Sequence, residues 1–156
     1  MTLKQRLAED LKTAMKAGDR LRIECLRMLR ARILDHEVGL RPRKGLGYEL
    51  SDDEATQVVL AYAKQRREAI EEFQKGRRED LAAREQSELS IVQSYLPPPL
   101  GEAEIRALVG AAIAEVGATS IGDLGAVMKR VLPAVQGRAD GKLVSQIVRE
   151  ALDTPQ

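Results

Sequence analysis

Tyr95-Leu96-Pro97-Pro98-Pro99-Leu100 divides this chain. Each proline lacks a backbone N–H, fixes φ, and pushes the residue before it away from the right-handed helical region. Three in succession end any helix that enters them and form a short, stiff, polyproline-like hinge. Upstream the side chains are long and charged, whereas downstream Gly, Ala and Val become more frequent. The reading is an all-α protein with two helical domains. A larger N-terminal helical domain spans 1–96, a small C-terminal three-helix domain spans 97–156, and 97–99 is the Pro-rich hinge. The small domain lies near the lower size limit for independent folding.

The composition of the 156 residues favours helix: Ala, Leu, Glu, Arg and Lys dominate, and there are one Phe, three Tyr and no Trp. Lys plus Arg number 25 against 24 for Asp plus Glu, so bulk charge gives a nucleic-acid partner no support and only local patches can. No apolar run approaches the ~20 residues of a membrane span. Met1-Thr2-Leu3-Lys4-Gln5 has no signal-peptide hydrophobic region, which sets the cytoplasm as the expected location. One cysteine rules out an internal disulfide, and one histidine beside it makes a conventional zinc site improbable, so no metal or cofactor is expected.

The first helix is expected from Thr2 as N-cap to Lys16, with Leu3, Leu7, Leu11 and Met15 every fourth residue and Gly18 closing it. Asp19 caps a second helix. There Leu21, Cys25, Leu26, Leu29 and Ile33 gather opposite Arg20, Arg27 and Arg30, and Gly39 ends the run. Cys25 reads as a small core residue, and His36 as a structural residue near the helix C-terminus. Arg41 to Leu50 reads as a basic Gly/Pro loop. Ser51-Asp52-Asp53-Glu54 fits a capping box, with Glu54 reaching back, before a long helix to Lys75 bearing Val58, Val59, Tyr62, Ala63, Ile70 and Phe73. Gly76 breaks that helix, and another runs from about Asp80 to Leu96. Charges between Lys64 and Glu88 balance and alternate, the pattern of a solvated helix surface.

Past the hinge, Gly101 to Val116 is expected to be a helix burying Ile105, Leu108, Val109, Ala112 and Ile113. Ser120-Ile121-Gly122-Asp123 opens the next, packed through Leu124, Val127, Met128, Val131 and Val135, with Pro133 ending or kinking its last turn. Gln136-Gly137-Arg138-Ala139-Asp140-Gly141 forms a turn, and Asp140 caps the final helix, Gly141 to Leu152. On that helix Leu143, Val144, Ile147, Val148 and Ala151 face inward, and Lys142, Gln146 and Arg149 face outward.

Three blocks of residues, in this order, resemble one family. The first is Ala14-Met15-Lys16-Ala17-Gly18-Asp19 followed by Leu26-Arg27-Met28-Leu29. The second is Lys64-Gln65-Arg66-Arg67-Glu68, Phe73-Gln74-Lys75-Gly76-Arg77, Glu85 to Glu88 and Tyr95-Leu96-Pro97. The third is Gly125-Ala126-Val127-Met128, Gly137-Arg138-Ala139-Asp140-Gly141 and Val144. Together they are similar to the GatB/YqeY family over nearly the whole chain. That family includes stand-alone YqeY-like proteins, the C-terminal region of the GatB component of the glutamine-dependent aspartyl/glutamyl-tRNA amidotransferase, and domains appended to some glutaminyl-tRNA synthetases. The resemblance implies a tRNA-facing role in translation. It also implies tRNA amidotransferase or aminoacyl-tRNA synthetase machinery as a partner, and the family label of carbon–nitrogen ligase with glutamine as amido-N-donor.

The residues themselves carry no evident catalytic site. Nothing resembles the Gly/Ser-rich signature of an amidase serine. Gly137-Arg138-Ala139-Asp140-Gly141 is not a phosphate-binding P-loop, because the Gly spacing is wrong and no Lys-Ser/Thr follows. Glu71-Glu72 and Asp52-Asp53 are adjacent pairs, and adjacent residues do not share a helix face. The expectation is therefore a non-catalytic tRNA-associated accessory module. Its candidate tRNA-binding residues are Lys129, Arg130, Arg138, Lys142 and Arg149, which converge if the last two helices form a hairpin. Gly137 and Gly141 would let backbone amides approach phosphates. The same segment also reads as a tight turn with an N-cap, its basic residues serving solubility. The alternative function is a helical adaptor that docks on a protein through Lys64–Leu96 or Arg41–Lys44.

Overall fold

The computed structural model describes residues 1–135 and 138–153. Among the described residues there are seven α-helices, one short 3-10 turn and no strand. The chain forms two compact units, Met1–Leu96 and the residues from Pro97 onward. Among the described residues no single helix is long and apolar enough to cross a membrane.

The first unit contains α1 (Leu3–Ala17), α2 (Arg20–Lys44), α3 (Asp52–Lys75) and α4 (Glu79–Gln93). Thr2 caps α1 with its side-chain oxygen on the Gln5 N–H, and Gln5 answers on the Thr2 N–H at 2.9 Å. Gly18 closes the helix at φ 69°, a left-handed conformation that costs glycine nothing. Leu3, Leu7 and Leu11 are buried as expected, but the stripe continues through Ala14, and Met15 is 52% exposed. The cause is the 3.6-residue turn: a strict period of four drifts off the buried face after three steps.

Asp19 caps α2 by accepting from the Arg22 N–H at 3.2 Å. The helix does not end at Gly39. It runs on through Pro42 to Lys44, so the first four residues of the expected Arg41–Leu50 loop are helical. A mid-helix glycine costs about 1 kcal/mol, and burial offsets it. Glu37 sits in the core at 3% exposure, Leu40 packs against the buried cluster, and Leu50 is buried in the segment that follows. His36 therefore lies within a helix, well short of its C-terminal dipole.

Ser51 caps α3 through the Glu54 N–H at 3.2 Å, but the Glu54 carboxylate accepts from the Tyr48 hydroxyl instead of reaching back to Ser51. The α3–α4 connection turns on Arg77, not Gly76, since Arg77 holds the left-handed φ of 56°. Helix α4 begins at Glu79 and stops at Gln93, three residues before the expected end. One core joins the four helices. Leu7, Leu26, Leu29, Val59 and Val92 are fully buried in it, each aliphatic side chain stabilising the fold by about 1.5–3 kcal/mol.

The second unit contains α5 (Glu102–Val116), the 3-10 turn Ile121–Asp123, α6 (Leu124–Val135) and α7 (Gly141–Asp153). Ser120 and Asp123 form a reciprocal capping box at the turn. Pro133 sits inside α6, near the end of its described residues. Ile105, Val109, Val127, Val131, Val144 and Ile147 form the core. Leu143 is not part of that core. It is 37% exposed, because one turn beyond the cap the buried face of α7 follows Val144, Ile147, Val148 and Leu152.

Candidate nucleic-acid interface

Helix α7 owes its outer face to its cap. Asp140 Oδ1 accepts from the Lys142 N–H at 3.1 Å and the Asp140 carbonyl accepts from the Val144 N–H at 3.0 Å. With Val144 and Ile147 turned into the core, Lys142, Gln146 and Arg149 are left exposed. Lys142 and Arg149 line one shallow depression together with Ser145 and Gln146, with Glu150 and Asp153 at its far end.

Neighbouring contacts set the charge of this depression. Arg106 on α5 reaches Glu102 at 2.7 Å and Glu150 at 3.1 Å, and Gln146 donates to Glu150 at 3.2 Å. Glu150 is thus engaged by other partners, while Lys142 and Arg149 make no ion pair among the described residues. Two unpaired cations two turns apart can each take a phosphate oxygen, and Gln146 supplies an amide donor between them.

The other candidates lie differently. Arg130 is held by Glu115 of α5 at 2.6 Å, an exposed pair that keeps the Glu115 carboxyl below the ordinary range. Arg138 is turned toward the hinge: its Nε donates to the Pro98 carbonyl at 3.2 Å, and its own carbonyl accepts from the Leu100 N–H at 2.6 Å. Lys129 is exposed on α6. Gly137, named with Gly141 as a phosphate approach, lies outside the described residues. The five expected residues therefore resolve into Lys142 and Arg149, which share a surface, and three others not shown to join it. Ser145 lines the same depression, and a small polar residue at a helix surface carries no distinguishing signal in the sequence.

Elsewhere, Cys25 is 2% exposed, and burial, reinforced by the negative charge of Glu88, pushes its thiol up to about 11. Such a thiol is inert at neutral pH. Among the described residues no three His, Cys, Asp or Glu side chains are grouped to hold a metal ion.

The family of Yqey-like proteins matches residues 4–152. A protein of Pyrenophora tritici-repentis named "Altered inheritance of mitochondria protein 41, mitochondrial" is 32% identical over 152 residues, covering 94% of this chain and 79% of its own length. A protein of the same name from Lachancea thermotolerans is 37% identical over 112 residues, covering 70% of this chain and 57% of its own length. One from Saccharomyces cerevisiae is 32% identical over 90 residues, covering 58% and 46%. These mitochondrial names overturn the cytoplasmic location expected from Met1–Gln5. The residues Met1–Gln5 do not fix a compartment, because mitochondrial presequences are amphipathic and basic rather than apolar. With a family match that spans α1 to α7, the chain belongs to the Yqey-like protein family.

Proposed function

We propose that this chain is a non-catalytic, tRNA-associated accessory protein connected with glutamine-dependent amidation of aminoacyl-tRNA, and that Lys142 and Arg149 contact the RNA backbone. The observation that carries the reading is the pair itself. Both cations line one face of α7 with no ion pair among the described residues, while Arg106 and Arg130 are already neutralised by carboxylates. Bulk charge gives no help, since the small unit has six basic and seven acidic residues. Recognition rests on local geometry, through phosphate and shape rather than base edges. Two phosphate contacts give weak affinity, which suits a module that adds to the grip of an amidotransferase or synthetase through effective concentration. The test is an anisotropy titration of the protein with total tRNA across a salt series. For two phosphate contacts the expected slope of log affinity against log salt is about −1.4 to −1.8. Absence of binding at low salt contradicts the reading.

A further inference from the structure

Helix α2 is the most basic element of the chain, with eight Arg or Lys against three Asp or Glu. Its outer face carries Arg27, Ala31, Leu34 and Val38 at alternating steps of four and three, the spacing by which one helix seats against another, and the partly buried Arg41 continues the series. Ala31 is exposed, Leu34 is 52% exposed and Val38 is 49% exposed. Beside the seam a groove between α1 and α2 is lined by Leu7, Arg30, Ala31, Ile33 and Leu34. Arg27 and Arg30 make no ion pair among the described residues, whereas Glu37 is taken by Lys4 and Glu24 by Arg84.

We propose that this seam docks an amphipathic helix of a partner protein, with aliphatic side chains on Ala31, Leu34 and Val38 and carboxylates on Arg27, Arg30 and Arg41. The occupant follows from charge and shape. From Arg27 to Arg41 the seam is about 21 Å long, four turns of helix. A second copy of this chain is disfavoured: an antiparallel pairing centred on Leu34 sets Arg27 against Arg41, and a parallel one sets each arginine against itself. A nucleic acid makes no use of two half-exposed aliphatic residues at the centre of the surface. An acidic amphipathic helix satisfies both features.

The test uses the full chain and two fluorescent designed helices of about 18 residues, identical in their Leu and Ile stripe but flanked by Glu in one and Lys in the other. The Glu-flanked helix is expected to bind saturably and the Lys-flanked one to fail. Leu34→Ser with Val38→Ser, and separately Arg27→Glu with Arg30→Glu, should each weaken binding about tenfold or more. Circular dichroism and thermal melts of the variants separate lost docking from lost folding, and Lys142→Glu with Arg149→Glu should leave binding unchanged. Equal binding of both helices, or none of either, overturns the proposal. So does a dimer in sedimentation that Leu34→Glu dissociates, which assigns the seam to a second copy. Binding of tRNA that depends on Arg27 and Arg30 and ignores Leu34→Ser reassigns the face to nucleic acid.

Discussion

Leu50 donates its backbone N–H to Glu37 Oε1 at 3.0 Å, and the same carboxylate holds Lys4. One buried side chain of α2 thus ties α1 to the segment that leads into α3. Burial alone would raise the Glu37 carboxyl, but the hydrogen bonds from Lys4 and Leu50 outweigh it and hold the group below its ordinary range.

A group with a lowered folded pKa contributes stability that is complete above its unfolded value and fades as pH falls through the folded one. Glu37→Ala is expected to cost about 1–3 kcal/mol at neutral pH, because it orphans the Leu50 N–H and the lysine. Urea midpoints of both proteins should converge on acidification through the carboxylate range. A gap that stays constant with pH contradicts this assignment.

Cys25, with its thiol pushed to about 11 by burial and Glu88, should resist an aromatic disulfide reagent. At pH 8 the native protein should react about two orders of magnitude more slowly than the protein in urea, as its thiolate fraction dictates. Equal rates place the thiol at the surface.

Two glycines should respond with opposite sign. Gly18 has φ 69°, and Gly18→Ala should cost about 1 kcal/mol. Gly39 lies inside α2 with open space where a Cβ would go, and Gly39→Ala should stabilise by about 0.5–1 kcal/mol. Thermal melts decide, and a shift of the same sign in both contradicts the assigned conformations.

Tyr95 is 5% exposed and its hydroxyl donates to Asp10 of α1. Burial and that carboxylate raise the phenol above its ordinary range. A raised folded pKa gives stability that is complete below the unfolded value and lost as pH climbs through the folded one. The stability advantage over Tyr95→Phe, about 1 kcal/mol near neutrality, should shrink above about pH 10. An advantage that grows in alkali contradicts the bond.

Local signals made much of the fold legible. Thr2, Asp19, Ser51, Ser120 and Asp140 all act as caps, because a cap is decided within three residues. Misreadings arose where tertiary contacts overrode local rules. Helix α2 passes through Gly39 since Glu37 and Leu40 are used by the core, and Glu54 serves Tyr48 rather than its own cap. The candidate site was legible only in part. That Lys142 and Arg149 share a face follows from their spacing of seven. That Glu115 takes Arg130 and Pro98 takes Arg138 depends on contacts 15 and 40 residues apart, which no pattern encodes.

Charge reversal on α7 decides whether this helix face meets RNA. Affinity for total tRNA is measured at low salt for the native chain, for Lys142→Glu with Arg149→Glu, and for Glu115→Gln with Arg130→Gln, which removes an exposed ion pair without changing net charge. The double reversal is expected to lose about tenfold or more, while loss of the Glu115–Arg130 pair should change affinity by less than about threefold. Equal affinity of the double reversal and the native chain contradicts the assignment of the RNA contact to this face.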